Sequence, residues 1–184
     1  MTEPQLGRGF LAVVPPDEVL DAVDAAASGI ELPSTARRMA RPQWHLTLQF
    51  LGNRVDFHAV AGALGALAVR RGTVALGAAG AFPSERRGRI LWLGVSEGEA
   101  LLSQLAAAVG ALLEPVGYQP EERPYHAHLT LARLKTPADL RPVVSELGSG
   151  PVGRPWTVDE VVLFQSRTHR TGAEYVARAR FPLS

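Results

Sequence analysis

The sequence predicts a mixed fold of strands and helices, α/β or α+β, made of two similar halves. Two near-identical heptapeptides, alternating strand-like and helix-like segments, and a matching order of motifs in each half predict it. The heptapeptides are HLTLQFL at 45–51 and HLTLARL at 128–134, identical at five of seven positions. Phe82-Pro83-Ser84 follows the first histidine by 37 residues, and Phe164-Gln165-Ser166 follows the second by 36. Each opens a basic loop with a glycine, Gly88 or Gly172, and a strand-like segment follows. The halves fall at about 1–95 and 96–184. Two copies at so long a period are too few for a solenoid.

Taken in order, FLAVV at 10–14 reads as a buried strand stopped by Pro15-Pro16. Asp17 and Glu18 open a helix to about Ser28, with acids at the positive end of its dipole. Residues 44–51 alternate as a strand, ended by Gly52-Asn53, and a helix follows over 55–70. Residues 73–79 and 89–95 form two strands around the basic loop PSERRG. Ser96 stands three residues before Glu99, a capping-box spacing, ahead of a helix to about Leu113. Residues 127–134 form the second alternating strand. Thr136-Pro137 starts another helix, proline being tolerated in a first turn. Residues 157–165 and 174–181 close the chain as a strand pair around THRTG.

Composition bounds the function. Apolar residues make up 46% of 184, enough for a packed interior, and the formal net charge of +1 points to no class of partner. The absence of cysteine excludes disulfides, thiolate nucleophiles and thiolate metal sites. The start, MTEPQLGRGF, lacks the pattern of a signal peptide, and no apolar run approaches a membrane span. A cytoplasmic protein is expected. Of 19 basic side chains only Lys135 is lysine, and the arginines cluster at 37–41, 86–89 and 167–170. Guanidinium groups suit phosphate recognition, but codon bias is the simpler account of the excess.

Alternation puts His45, Thr47 and Gln49 on one face of the first motif strand, with Leu46, Leu48 and Phe50 on the core face. In the second, His126, His128, Thr130 and Ala132 oppose Leu129 and Leu131. A duplicated core strand needs the leucines but has no need of His and Thr twice. If the halves pack with twofold symmetry, two imidazole–hydroxyl pairs face each other. Imidazole titrates near pH 6.5, so one ring can take a proton while the other gives one. The hydroxyls can donate to a bound anion. Two imidazoles flanking a phosphorus suit an in-line displacement, and the residues leave open which is acid and which is base. A zinc site lacks a carboxylate or third histidine at ligand spacing. His58 and His169 are expected at the surface. Arg133 points to the wrong face of an ideal strand, so a phosphate contact by it requires a bulge or a strand end. Arginines of the two hairpin loops are better placed to reach a phosphate at the cleft. Trp44 or Tyr125 could stack on a planar ligand ring, with Phe10 expected in the core.

These motifs resemble the two-histidine phosphoesterase superfamily, and within it the RNA 2′,3′-cyclic phosphodiesterase or 2′-5′ RNA ligase family. FLAVVPPDEV, WHLTLQFLG, FPSERRGRILWLGV, HAHLTLARL and the closing ARFPL carry the resemblance over nearly the whole chain. It implies one α+β domain over 1–184: a bilobal, pseudo-twofold duplicated fold with antiparallel sheets lining a central cleft and helices outside. It implies His45 as proton donor to the leaving 3′ oxygen and His128 as the acceptor that activates water. Thr47 and Thr130 become the phosphate-contacting hydroxyls; Arg133 stands beside them as a candidate substrate contact from the strand reading alone. The implied reaction uses no metal or cofactor and opens the cyclic phosphate of RNA ends or small nucleotides to a 2′-phosphate. Action on 2′-5′ linkages, or RNA-end binding without turnover, are the alternative readings. A monomer is expected, because one chain supplies both sides of the cleft.

Overall fold

A computed structural model describes residues 6–170 and 172–184. The chain runs β1 (Leu6–Val13), α1 (Asp17–Ser28), β2 (Ala36–Arg38), a 3-10 turn (Arg41–Gln43), β3 (Leu46–Asp56), α2 (Phe57–Leu64), β4 (Gly72–Phe82), β5 (Gly88–Glu97), α3 (Glu99–Leu113), β6 (Leu129–Ala138), α4 (Arg141–Leu147), β7 (Pro151–Val158), β8 (Glu160–His169) and β9 (Gly172–Pro182). The strands form an antiparallel sheet ordered β7-β4-β5-β6-β3-β1-β8-β9, with β2 on β6. The fold is α+β and bilobal. One lobe holds β3, β1, β8 and β9, and the other holds β6, β5, β4 and β7. They meet where β3 pairs with β6 through one bridge, Leu46 to Leu129. Both leucines are fully buried, so the junction is anchored from the core side.

The sheet order divides the repeat elsewhere than near residue 95. Outward from the junction, each motif strand has a neighbour that precedes it in the chain: β1 beside β3, and β5 beside β6. The next strand out is β8 in one lobe and β4 in the other, the two that carry the Phe-x-Ser motifs. The repeating unit is therefore strand, helix, motif strand, helix, strand: β1 to β4, then β5 to β8, split between Phe82 and Gly88. The last strand of each unit crosses into the lobe of the other. Local likeness of the two basic loops pointed to equating β5 with β9, but β9 is an outer strand and β5 an inner one.

Several element boundaries move for local reasons. Ser96 does not cap α3. Its hydroxyl turns back to the Ala75 and Leu76 carbonyls, and Gly98, at φ 86°, makes the turn. Only glycine enters there freely, because a Cβ would lie 2.3 Å from the Thr73 carbonyl oxygen. Thr136 and Pro137 stay in β6, whose Ala138 still pairs with Gly88. The turn into α4 comes later, where Asp139 Oδ1 accepts from the Arg141 amide at 3.1 Å. β3 passes Gly52-Asn53 and runs to Asp56, whose carboxylate caps α2 by accepting from the amides of His58 and Ala59. α2 ends early, at Leu64, and residues 157–165 divide between β7 and β8. One apolar stretch does reach the length of a membrane span, Glu99–Val116. Its Leu102, Leu105, Val109 and Leu113 are fully buried, so one face of the helix packs on β3 and α2.

Candidate active site

The junction brings the two motifs together. Continuing the Leu46–Leu129 register by one residue each way sets His45 opposite Thr130 and Thr47 opposite His128. All four lie on the face opposite the buried leucines. His45 also lies within 3.0 Å of the hydroxyl of its own motif, Thr47 Oγ1.

The His128 Nδ1–H donates to the His126 carbonyl at 2.8 Å. The His45 Nε2 meets Thr47 Oγ1 at 3.0 Å. A carbonyl accepts only from N–H, so the neutral His128 ring carries its proton on Nδ1 and leaves Nε2 for the cleft. Aromatic packing fixes the ring planes. Phe10 stacks on His45 at 4.6 Å and Tyr175 meets it edge-on at 5.3 Å. Phe82 meets His128 edge-on at 5.1 Å. Phe10 is in the core, as expected, but its ring also supports the site.

Burial sets the charge state. It is the main cause that lowers His45 from 6.5 to about 4, with further lowering from the Arg133 and His128 charges. His128 is lowered too, first by burial and then by His126 and Arg133. Arg133 therefore acts on both histidines.

It reaches them because the strand is not ideal. On β5–β6, Ala132 lies opposite Leu91 and Thr130 opposite Trp92, which leaves Leu131 as an extra residue. On β1–β3, Gln49 lies opposite Leu11 and Thr47 opposite Ala12, which leaves Leu48 extra. Each motif strand has a bulge at the same place, and a bulge inverts the facing of everything beyond it. Leu131 and Ala132 are both buried, as are Leu48 and Gln49. The next residue, Arg133 or Phe50, then emerges on the histidine face. This corrects the expected facing of four residues. Gln49 and Ala132 leave the polar face for the interior, where Gln49 Nε2 donates to the Gln119 carbonyl at 3.1 Å. Phe50 leaves the core and stands 48% exposed, while Arg133 gains the site.

Phe50 is the residue that alternation missed. The signal was within the heptapeptides: they differ only at the two positions that follow the bulge, Gln49-Phe50 against Ala132-Arg133. Trp44, a stacking candidate by sequence, is instead buried at 5% exposure, and Tyr125 is half-buried with its hydroxyl inside. His126 is exposed and edge-on to Trp92 at 4.9 Å. His58 is at the surface, and His169 pairs with Glu174 at 2.9 Å. Among the described residues, no three His, Asp or Glu side chains gather as a metal site.

Comparison with known proteins follows the same lines. Residues 15–170 match the 2′-5′ RNA ligase superfamily. A Thermus thermophilus RNA 2′,3′-cyclic phosphodiesterase is 32% identical, over 96% of this chain and 90% of its own. The Escherichia coli RNA 2′,3′-cyclic phosphodiesterase is 30% identical, over 100% of this chain and 99% of its own. The crystal structure of Escherichia coli LigT complexed with 3′-AMP superposes with a TM-score of 0.79 at 26% identity, covering 98% of this chain and 99% of that one. The matched span holds both bulged motif strands and the bridge between them, and this chain belongs to the 2′-5′ RNA ligase superfamily.

Proposed function

We propose that the cleft opens RNA 2′,3′-cyclic phosphates, or those of small nucleotides, to 2′-phosphates, with His45 as acid and His128 as base. The observation that carries this reading is the two histidines brought together at the Leu46–Leu129 bridge, His45 with Nε2 on the Thr47 hydroxyl and His128 with Nδ1 tied to a backbone carbonyl. The names and shared fold of the relatives support it.

The proposed step is an in-line displacement. His128 Nε2 takes a proton from water as the water oxygen bonds to phosphorus. The bond from phosphorus to the 3′ oxygen breaks, and that oxygen takes the proton held on His45 Nε2. One proton is lost and one gained, and exchange with solvent restores both rings. Thr47 and Thr130 donate to the non-bridging oxygens, where charge builds. Arg133 adds positive potential, and Phe50 offers an exposed face to the terminal base.

The acid needs loading. In the free site burial keeps His45 neutral near pH 7. A bound phosphodiester carries one negative charge, which favours imidazolium and raises the histidine pKa values. Substrate thus recruits the proton that its own cleavage consumes. One chain supplies both motifs, so residues 1–184 act as one catalytic domain and a monomer suffices.

The test incubates the protein with a nucleoside 2′,3′-cyclic phosphate, a cyclic-phosphate-ended oligonucleotide and a 2′-5′-linked dinucleotide, all in EDTA. His45→Ala and His128→Ala run alongside. A 2′-phosphate product is expected, with each variant slowed about 10²- to 10⁴-fold. Turnover that survives loss of either histidine refutes the mechanism.

A further inference from the structure

Arg133 has a neighbour that the reaction leaves unused. β2 pairs with β6 so that Arg37 lies directly opposite Arg133. Opposed residues of an antiparallel pair project from the same face, so Arg37 stands on the histidine side of the sheet. The flanking residues agree. Ala36 and Arg38 oppose the core residues Leu134 and Ala132, and Arg38 turns away to donate to the Ala27 carbonyl in the last turn of α1 and the Ile30 carbonyl just after it. Two like charges directly opposite each other destabilise a sheet. No ion pair among the described residues includes either arginine. The Arg37 guanidinium lies against Gly172 at the start of β9, where an added Cβ would stand 2.6 Å from its Nη2.

Two guanidinium groups on one face offer a place for an anion beside the cyclic phosphate, which lies between the histidines within reach of the Arg133 charge. A strand rises about 3.3 Å per residue, so Arg133 stands about 10 Å along β6 from Thr130, less what the bulge removes. Flexible arginine side chains can bridge the remainder to the next phosphate of the same strand.

We propose that Arg37 and Arg133 form a second phosphate subsite, which takes the phosphate on the 5′ oxygen of the terminal nucleotide while the cyclic phosphate sits between His45 and His128. The assignment rests on the cyclic-phosphate reading of the cleft. It makes the protein prefer an end that continues into a chain, or that carries a 5′-phosphate, over a bare nucleoside cyclic phosphate.

The test compares kcat/KM for adenosine 2′,3′-cyclic phosphate, its 5′-phosphorylated form and a dinucleotide ending in the cyclic phosphate, with wild type, Arg37→Ala and Arg37→Lys. In the wild type both 5′-phosphate substrates should lead by about ten-fold, the effect of one charged hydrogen bond. Arg37→Ala should erase most of that lead, and Arg37→Lys should restore part of it. The salt slope for the dinucleotide should fall by about 0.7 in Arg37→Ala, one phosphate contact on a single strand. A lead confined to the dinucleotide and untouched in Arg37→Ala assigns the preference to the preceding base and overturns the subsite. Equal losses on all three substrates overturn it too. A structural role for Arg37 predicts a lower melting temperature for Arg37→Ala, whereas relief of like-charge repulsion predicts no loss. Calorimetric binding of adenosine 2′-phosphate and adenosine 2′,5′-bisphosphate keeps the two readings separable. A bisphosphate preference lost in Arg37→Ala upholds the subsite even where no turnover is seen, and absence of that preference in the wild type refutes it.

Discussion

Acidification should unfold this protein through its active site. His45 is held at about 4 in the fold and titrates near 6.5 when the chain is unfolded. Between those values the unfolded state binds a proton that the folded state refuses. Stability is therefore full above about pH 6.5 and falls as the pH drops toward 4. At pH 5 the linkage amounts to about 2 kcal/mol for this one group. His128 is lowered as well and adds to the loss. Asp139, held near 2 by its bonds to Arg141, titrates below this window and leaves it clear. The assay is urea unfolding at pH 7.5 and pH 5 for the wild type and His45→Gln. The variant should lose about 2 kcal/mol less than the wild type over that interval. Equal losses would refute the reasoning. A bound 2′-phosphate reverses the sign at the same group, since the anion favours imidazolium. Binding of adenosine 2′-phosphate should then tighten as pH falls from 7 to 5.5. Calorimetry in buffers of different ionisation heat should show proton uptake, and binding without it would mean that the acid is not loaded by the phosphate.

Three other outcomes follow from the site. Because both histidines lie below 6.5 in the free protein, kcat/KM against pH should peak on the acid side of 6.5; a maximum at or above pH 8 contradicts the assigned pair. Thr47→Val and Thr130→Val should each lower kcat about 10- to 10³-fold with little change in stability, by removing one donor from the developing charge; unaltered kcat in both would remove the hydroxyls from the site. Phe50→Ala should raise KM about 5- to 100-fold, the value of stacking on one base, while stability stays within about 0.5 kcal/mol, as for an exposed side chain. A large stability loss would return Phe50 to the core.

What could be read from the sequence was what depends on local pattern. α1 starts at Asp17 and ends at Ser28 as its acids and apolar spacing indicate. The motif strands, their histidines and their threonines follow from alternation, because the first residues of β3 and β6 are regular. The facing of Gln49, Phe50, Ala132 and Arg133 could not be read, because a bulge is defined by its partner strand. Leu48 is extra only relative to Leu11 and Ala12, and Leu131 only relative to Leu91 and Trp92. The repeat boundary was hidden for a similar reason. β5 and β9 both follow a basic glycine loop, and only strand neighbours tell them apart.

The twofold pattern explains the machinery, and its two departures explain the direction of the substrate. A pure duplication would bind a symmetric ligand equally well in two orientations. Here the backbone repeats, bulge for bulge, while the residue delivered by each bulge differs. Phe50 presents an apolar face on one side and Arg133 a cation on the other. A nucleotide is itself unsymmetrical about its reacting phosphorus, with a base toward one side and a phosphodiester chain toward another. Equal histidines then suit either role by geometry, and the position of base and chain decides which one faces the leaving oxygen. Exchange of these two residues, Phe50→Arg with Arg133→Phe, tests that division of labour. It should preserve the fold, since both sites are exposed on the same bulged backbone, and it should weaken binding of the natural end far more than either histidine geometry or stability would account for.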